Sequence, residues 1–374
     1  MIKFTLGILC LFILALTSAS GQTFKKFTLT GTIKGIKEGT IELYDHYGDD
    51  PDIRLDHKKT IVSAGKFEFK GEMNHPFKVY LVYSRTNGKK YSSDAEFFID
   101  PGKEKLVCII DSLHIETQIA GSKPNDEYNS DYLPYIKAAE KELDNWYAKY
   151  LNSPLENGML AERSKIGNKI DSAVYNYASL HHNSDLVLWI LDDRLDERYS
   201  DYYEKAYQLL DSATKNSHLG KTVAKTITGM KQTLIGATLP DMNLVDTTYA
   251  PVTVQFKTSL NSKYMFVELW FSHCGPCRRE FPDLINIYNK YKISGLDFIA
   301  ISVKENNKQF WQQTIKTLQL PWAQYFDKDG IVLNELHILD FPSNFLIDPQ
   351  GKIIAKNLQP FQLESLLKEK LSIN

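Results

Sequence analysis

With 374 residues, the chain is longer than one hydrophobic core usually fills, so two or three domains are expected. Hydrophobic residues at 43% and charged residues at 24% are ordinary for soluble globular protein. A formal net charge of -2 argues against a basic nucleic-acid surface and gives no reason to expect attraction to a membrane surface.

The chain begins with Lys3, an almost wholly apolar run over 4–16, and the small residues of 17–21. That order predicts a signal peptide over 1–21, cleaved after Ser20 or Gly21. An uncleaved membrane anchor is the alternative, although the run is short for a permanent span. Cys10 lies inside the run with no small residue before it, which argues against a lipoprotein cysteine. The mature chain is expected to be exported and soluble.

Residues 22–121 read as an all-β domain. Segments 27–33 and 66–70 alternate apolar and polar residues with period two, and 40–44, 79–83 and 96–99 are further short runs. Gly35, Gly39, Gly65, Gly71, Gly88 and Gly102 punctuate them as turns. The spacing predicts a small antiparallel sandwich or barrel. From 122 to 235 the pattern becomes helical, with apolar residues three or four apart in 135–146 and 205–210, and reads as an α-helical connector. From 236 to 374 strand runs (265–270, 298–303, 344–347) alternate with helical ones (to 291, 307–318, 364–370), which implies an α/β layered domain.

Apart from Cys10, the cysteines are Cys108, Cys274 and Cys277. An exported chain of this length with so few cysteines is not held together by a disulfide framework. Cys108 lies in a strand-like run and is expected to be a buried, inert thiol. Cys274-Gly275-Pro276-Cys277 follows an apolar strand and opens a helical stretch, a setting that suits a reversible dithiol. Half a zinc site is the competing reading, but no second Cys pair or paired histidines complete four ligands. No cofactor or metal is called for.

Residues 270–282, around these cysteines, resemble the active-site stretch of thioredoxin-like proteins, specifically the exported TlpA/ResA type. Gly236, Leu239, Pro240 and Asp241 match the usual entry into that domain, and 341–351 match its second signature. The resemblance covers about the last third of the chain and implies an α/β thioredoxin-like fold. The strand-rich segment more weakly resembles a domain of unknown function that precedes such reductases in some Gram-negative bacteria. A periplasmic location follows from that resemblance and the export signal.

The resemblance implies roles. Cys274, just before the helix, is the nucleophile, because unpaired backbone N–H groups and the helix dipole favour its thiolate. Cys277 resolves the mixed disulfide. Pro276 suits the first helical turn, where its missing N–H costs nothing. Glu268 stands where thioredoxins carry an Asp that handles the proton of the resolving cysteine; a solvent-facing edge position is its other reading. Glu280 is either a carboxylate tuning the cysteines or a favourable acid in a helix's first turns. Pro342 is implied to be the family's cis-proline, placing Phe341 against the dithiol to pair with a substrate strand. Phe341 and His273 depart from the family pattern. His273 either lowers the pKa of Cys274 or is an exposed polar substitution. Trp270 is assigned to substrate docking with Phe341 and Pro342, or packs beneath the site.

The function expected is an exported thiol–disulfide oxidoreductase that reduces protein disulfides, supplied with electrons by a membrane-embedded donor. A thiol peroxidase is a second reading, weakened by Phe271 where that branch has Thr or Ser. A partner-binding scaffold with a vestigial dithiol is a third.

Overall fold

Period-two alternation in the first hundred residues folds as a pleated strand requires, one side chain inward and the next outward. The computed structural model describes residues 24–46, 51–93, 96–111, 114–151, 157–257, 262–305 and 307–371, so the expected signal segment lies outside it. The chain separates into two compact units, one ending at Glu127 and the other starting at Tyr128.

The first unit contains β1 (Lys25–Lys34), β2 (Glu38–Asp45), β3 (Ile53–Leu55), β4 (Lys59–Ser63), β5 (Lys66–Met73), β6 (Phe77–Ser84), β7 (Lys90–Ser93), β8 (Phe97–Ile99), β9 (Gly102–Asp111) and β10 (His114–Ala120), then the short helix α1 (Lys123–Glu127). The strand order β1-β9-β10-β7-β6-β2-β4-β5 closes on itself through the β1–β5 ladder, with β3 beside β5 and β8 beside β6. Of the two architectures expected, the barrel is the one formed. Two ladders, β1–β9 and β10–β7, are parallel, which departs from the antiparallel expectation. Gly31 faces Phe67 across the β1–β5 ladder, and a Cβ there would lie 1.9 Å from the ring, so only glycine lets that ring lie flat on β1. On β9, Glu104, Leu106 and Cys108 all turn inward and are buried.

The second unit opens with a π-helical turn (Tyr128–Tyr132) and the helices α2 (Leu133–Tyr150), α3 (Asn157–Leu180), α4 (Asp185–Glu197), α5 (Asp201–Leu209), α6 (Ser212–Asn216) and α7 (His218–Gln232). Ser184, Ser200, Asp211 and Ser217 cap four of these, each side chain accepting a backbone N–H of the first turn. Fully buried Asp171 on α3 accepts from Arg198 Nη2 at 2.6 Å and from the Tyr203 hydroxyl at 2.5 Å, tying α3 to the start of α5.

A sheet follows: β11 (Met242–Val245), β12 (Pro251–Val254), β13 (Tyr264–Trp270), β14 (Leu296–Ser302), β15 (Ala323–Phe326), β16 (Ser343–Ile347) and β17 (Ile353–Lys356). Its helices are α8 (Gly275–Tyr291), α9 (Lys308–Leu318), α10 (Ile331–Leu336) and α11 (Pro360–Leu371). The order is β12-β11-β15-β14-β13-β16-β17; β13, β14 and β15 run parallel and the outer strands antiparallel. The helical segment is not a free-standing connector. From Tyr128 onward it shares a unit with this sheet, and α7 meets α10 so closely that a Cβ on Gly229 would lie 2.5 Å from the Glu335 carbonyl.

Central β13 is buried on both faces. Met265, Val267 and Leu269 enter one core, while Phe266 and Trp270 enter the other with Cys274, Cys277 and Phe281. Strand alternation therefore turns Glu268 toward the layer that holds the two cysteines.

Candidate active site

The end of β13 and the start of α8 build the site. Cys274 is the N-cap of α8: its carbonyl accepts from Arg278 N at 3.1 Å, and its sulfur accepts from Cys277 N at 3.2 Å. Pro276 occupies the first turn, as its fixed φ and missing donor favour. Cys274 and Cys277 are joined as a disulfide with Cα atoms 5.4 Å apart, and their exposures are 3% and 0%. Three residues of spacing at a helix start thus bring both sulfurs together, with the partial positive charge of the helix N-terminus beside Cys274.

Glu268 is fully buried, and neither of its carboxylate oxygens has a hydrogen-bond partner. It pairs in register with Ala300 on β14 and Asn344 on β16, so the solvent-facing edge position does not hold. Burial pushes its carboxyl well above the usual range, and the neighbouring Glu280 charge adds to this. Asn344 acts in the opposite direction, and its amide also donates to Leu358 O at 3.0 Å and accepts from Leu358 N at 2.8 Å. Glu280, one turn beyond Cys277, is half-buried with Oε2 unpartnered. Burial raises its carboxyl too, against the pull of Arg279 and Gln359.

Pro342 is preceded by a cis peptide bond and leads into β16. Phe341 is half-buried, its ring edge-on to Phe271 at 5.5 Å, and Lys304 Nζ lies 5.0 Å from its centroid. His273 is exposed and stacks on Phe310, ring centroids 4.5 Å apart and planes within 13°. Trp270 has no exposed surface and meets Phe281 edge-on at 5.2 Å. A side chain sealed in the core beneath α8 cannot touch a docked protein, so the docking assignment for Trp270 is corrected to packing.

Sequence reasoning missed Glu305. Its Oε1 accepts three hydrogen bonds: Ser272 N at 2.6 Å, Ser272 Oγ at 2.7 Å and Ser302 Oγ at 2.5 Å. Both serines are fully buried. This carboxylate clamps the turn that carries Cys274 to the end of β14, an arrangement of charge-assisted bonds that fixes the loop. Nothing local marks it, since a Glu just after a strand is an unremarked surface residue until the fold brings Ser272 to it. Cys108 is buried in the barrel, where desolvation pushes its thiol up to about 12. It takes no part in this site.

Residues 234–371 match the Redoxin family, and residues 27–128 match a domain of unknown function, DUF4369. The thiol–disulfide oxidoreductase ResA of Bacillus subtilis (strain 168) is 27% identical over 156 residues, 41% of this chain and 84% of that protein. ResA of Bacillus thuringiensis subsp. konkukian is 32% identical over 113 residues, covering 29% of this chain and 63% of the relative. Among solved structures, the thioredoxin domain of a thiol–disulfide oxidoreductase from Bacteroides vulgatus is 30% identical with a TM-score of 0.34. That alignment covers 37% of this chain and 98% of the other.

Proposed function

We infer that this chain, a thioredoxin-like thiol–disulfide oxidoreductase of the TlpA/ResA type with an N-terminal DUF4369 domain, reduces disulfides of exported proteins in the periplasm. The observation that carries the reading is Cys274 at the N-cap of α8 with Cys277 directly behind it and a buried, unpartnered carboxylate in the same layer. The apolar run over 4–16 after Lys3 supports export.

In the reduced enzyme, the Cys274 thiolate attacks one sulfur of a substrate disulfide. A Cys274–substrate bond forms, and the other substrate sulfur leaves as a thiolate and takes a proton. Glu268, in its ionised form, accepts the Cys277 proton, and the Cys277 thiolate attacks Cys274. The second substrate sulfur leaves and is protonated. The substrate has gained two electrons and two protons, and the enzyme holds the Cys274–Cys277 disulfide. A dithiol donor, itself oxidised to a disulfide, restores the reduced form; a membrane-embedded protein is our candidate for it. By the resemblance, Phe341 and Pro342 form the docking point at which the Phe341 backbone pairs with an extended substrate strand, while Glu280 adjusts the acidity of the pair through Glu268.

Gly275 and Pro276 between the cysteines are those of reducing thioredoxins, whose potentials lie near about -270 mV, against about -120 mV for strong oxidants. Equilibration of the Cys274–Cys277 couple with glutathione or a reference thioredoxin measures this directly. A value near the reducing end is expected, and one at the oxidising end would sink the reductase direction.

A further inference from the structure

Around the disulfide, the exposed chemistry is aromatic and cationic. Phe271 and Phe341 form a half-buried ledge beside Cys274, whose N–H bonds the Phe271 carbonyl at 2.9 Å. Lys304, in a left-handed backbone conformation (φ 54°), holds its ammonium over the Phe341 ring. Lys308 lies over Tyr249 at 4.1 Å, two residues before the Phe310 that stacks with His273. Arg279 folds back so that Nη1 is 3.6 Å from where a Cβ on Gly275 would stand. Among the described residues neither Lys304, Lys308 nor Arg279 forms an ion pair with a carboxylate.

The nearby acids are engaged elsewhere or act on Arg279 rather than on Lys304. Glu305 spends Oε1 inward on Ser272 and Ser302, and the Glu280 charge acts on Arg279 and on the buried Glu268. Asp340, adjacent to Phe341 in sequence, lines a cavity with His337 and Lys356. Positive charge with an apolar floor therefore flanks the point where a substrate strand meets the dithiol.

We propose that this face selects disulfides in acidic segments, with carboxylates within about two residues of the attacked cysteine. Strand spacing of about 3.3 Å per residue puts such side chains within reach of the Lys304 ammonium when the segment lies along Phe341. The inference rests on the exchange reading above and adds the substrate's charge to it. Opposite charge at the rim raises encounter rate more than it deepens affinity, and salt screens it.

The test uses two cysteine peptides identical except for flanking Glu or Lys, each carrying thionitrobenzoate on its cysteine as a mixed disulfide. The reduced protein attacks the peptide sulfur and releases coloured thionitrobenzoate; Cys277 then releases the peptide thiol and closes the enzyme disulfide. At low salt the Glu peptide is expected to react about tenfold faster than the Lys peptide, with the two converging near 1 M salt. Lys304→Glu is expected to abolish or reverse the preference. Lys304→Met, which keeps the alkyl chain over Phe341, is expected to reduce it and gives a second reading if the first variant fails to fold. Lys292→Glu, about 22 Å further along the helical rise from Cys277, makes the same net change and is expected to leave the preference intact. Equal rates at low salt, or an unchanged preference in a folded Lys304 variant, overturn the proposal while exchange itself stands. No thionitrobenzoate release from either peptide overturns the exchange reading along with it.

Discussion

Both units bury a carboxylate that faces a core, and both bury a cysteine, yet only one of them sets these parts beside a helix terminus and a second thiol. In the barrel, Glu104 is 2% exposed with Oε2 unpartnered, and burial, with a smaller contribution from the Asp100 charge, pushes its carboxyl up to about 8. In the C-terminal sheet, Glu268 is fully buried with both oxygens unpartnered and is likewise raised. Cys108 shares a strand face with Glu104, where desolvation holds its thiol protonated. Cys274 and Cys277 sit at a helix start, where backbone N–H groups converge. Burial alone sets a titration range; a helix terminus and a second thiol turn it into chemistry.

The largest effect expected from this contrast comes from Glu268→Gln, which removes the group we propose takes the Cys277 proton. Release of substrate from the mixed disulfide should slow about 10²-fold or more near neutral pH and lose its dependence on the ionisation of Glu268. Rapid-mixing measurement of that step across pH checks it, and a rate within twofold of wild type would dissolve the distinction between the two carboxylates.

Glu104 should act on stability instead. Its folded value, about 8, lies above the unfolded reference of 4.5, so the folded state keeps a proton that the unfolded state releases. The contribution is fully present below about pH 4.5, falls as pH rises and is gone above about pH 8, a loss on the order of 5 kcal/mol. Urea unfolding midpoints of wild type should decline over that window, those of Glu104→Gln should stay flatter, and disulfide-exchange rates should not distinguish the two proteins.

The smallest effect belongs to Cys108→Ser. Activity should remain within about twofold, with a stability cost on the order of 1 kcal/mol for placing a hydroxyl in an apolar strand layer. A loss of exchange activity comparable to that of a Cys277 variant would give the barrel a redox role that its geometry does not suggest.

The dithiol and its helix could be read from the chain because every part is local: an apolar strand, a four-residue turn, a proline suited to the first turn. Glu268 was legible by its place in an apolar strand, although only the sheet order decides that it is central. Glu305 was not, because its partner Ser272 is 33 residues away and the clamp exists only once β13 and β14 pair. Docking and packing could not be told apart for Trp270 for a related reason: proximity in sequence to Cys274 says nothing about which side of the sheet faces solvent. The parallel ladders of the barrel were invisible because alternation reports a strand's faces and leaves its neighbours unspecified. Likewise the helices of 133–232 display apolar stripes without saying what covers them.

The contact between α7 and α10 bears on the order in which the molecule assembles. Thr226 Oγ1 lies 3.5 Å from His337 Nδ1 across 111 residues of chain, close to the Gly229–Glu335 approach. Because synthesis runs from the N-terminus, α7 exists long before the segment that covers it. The Thr226 and Gly229 end of the helix must wait for most of the later sheet to emerge before α10 covers it. Closure of α7 onto α10 is therefore a late, long-range step, and maturation of this unit should be slow beside that of a thioredoxin-sized domain alone.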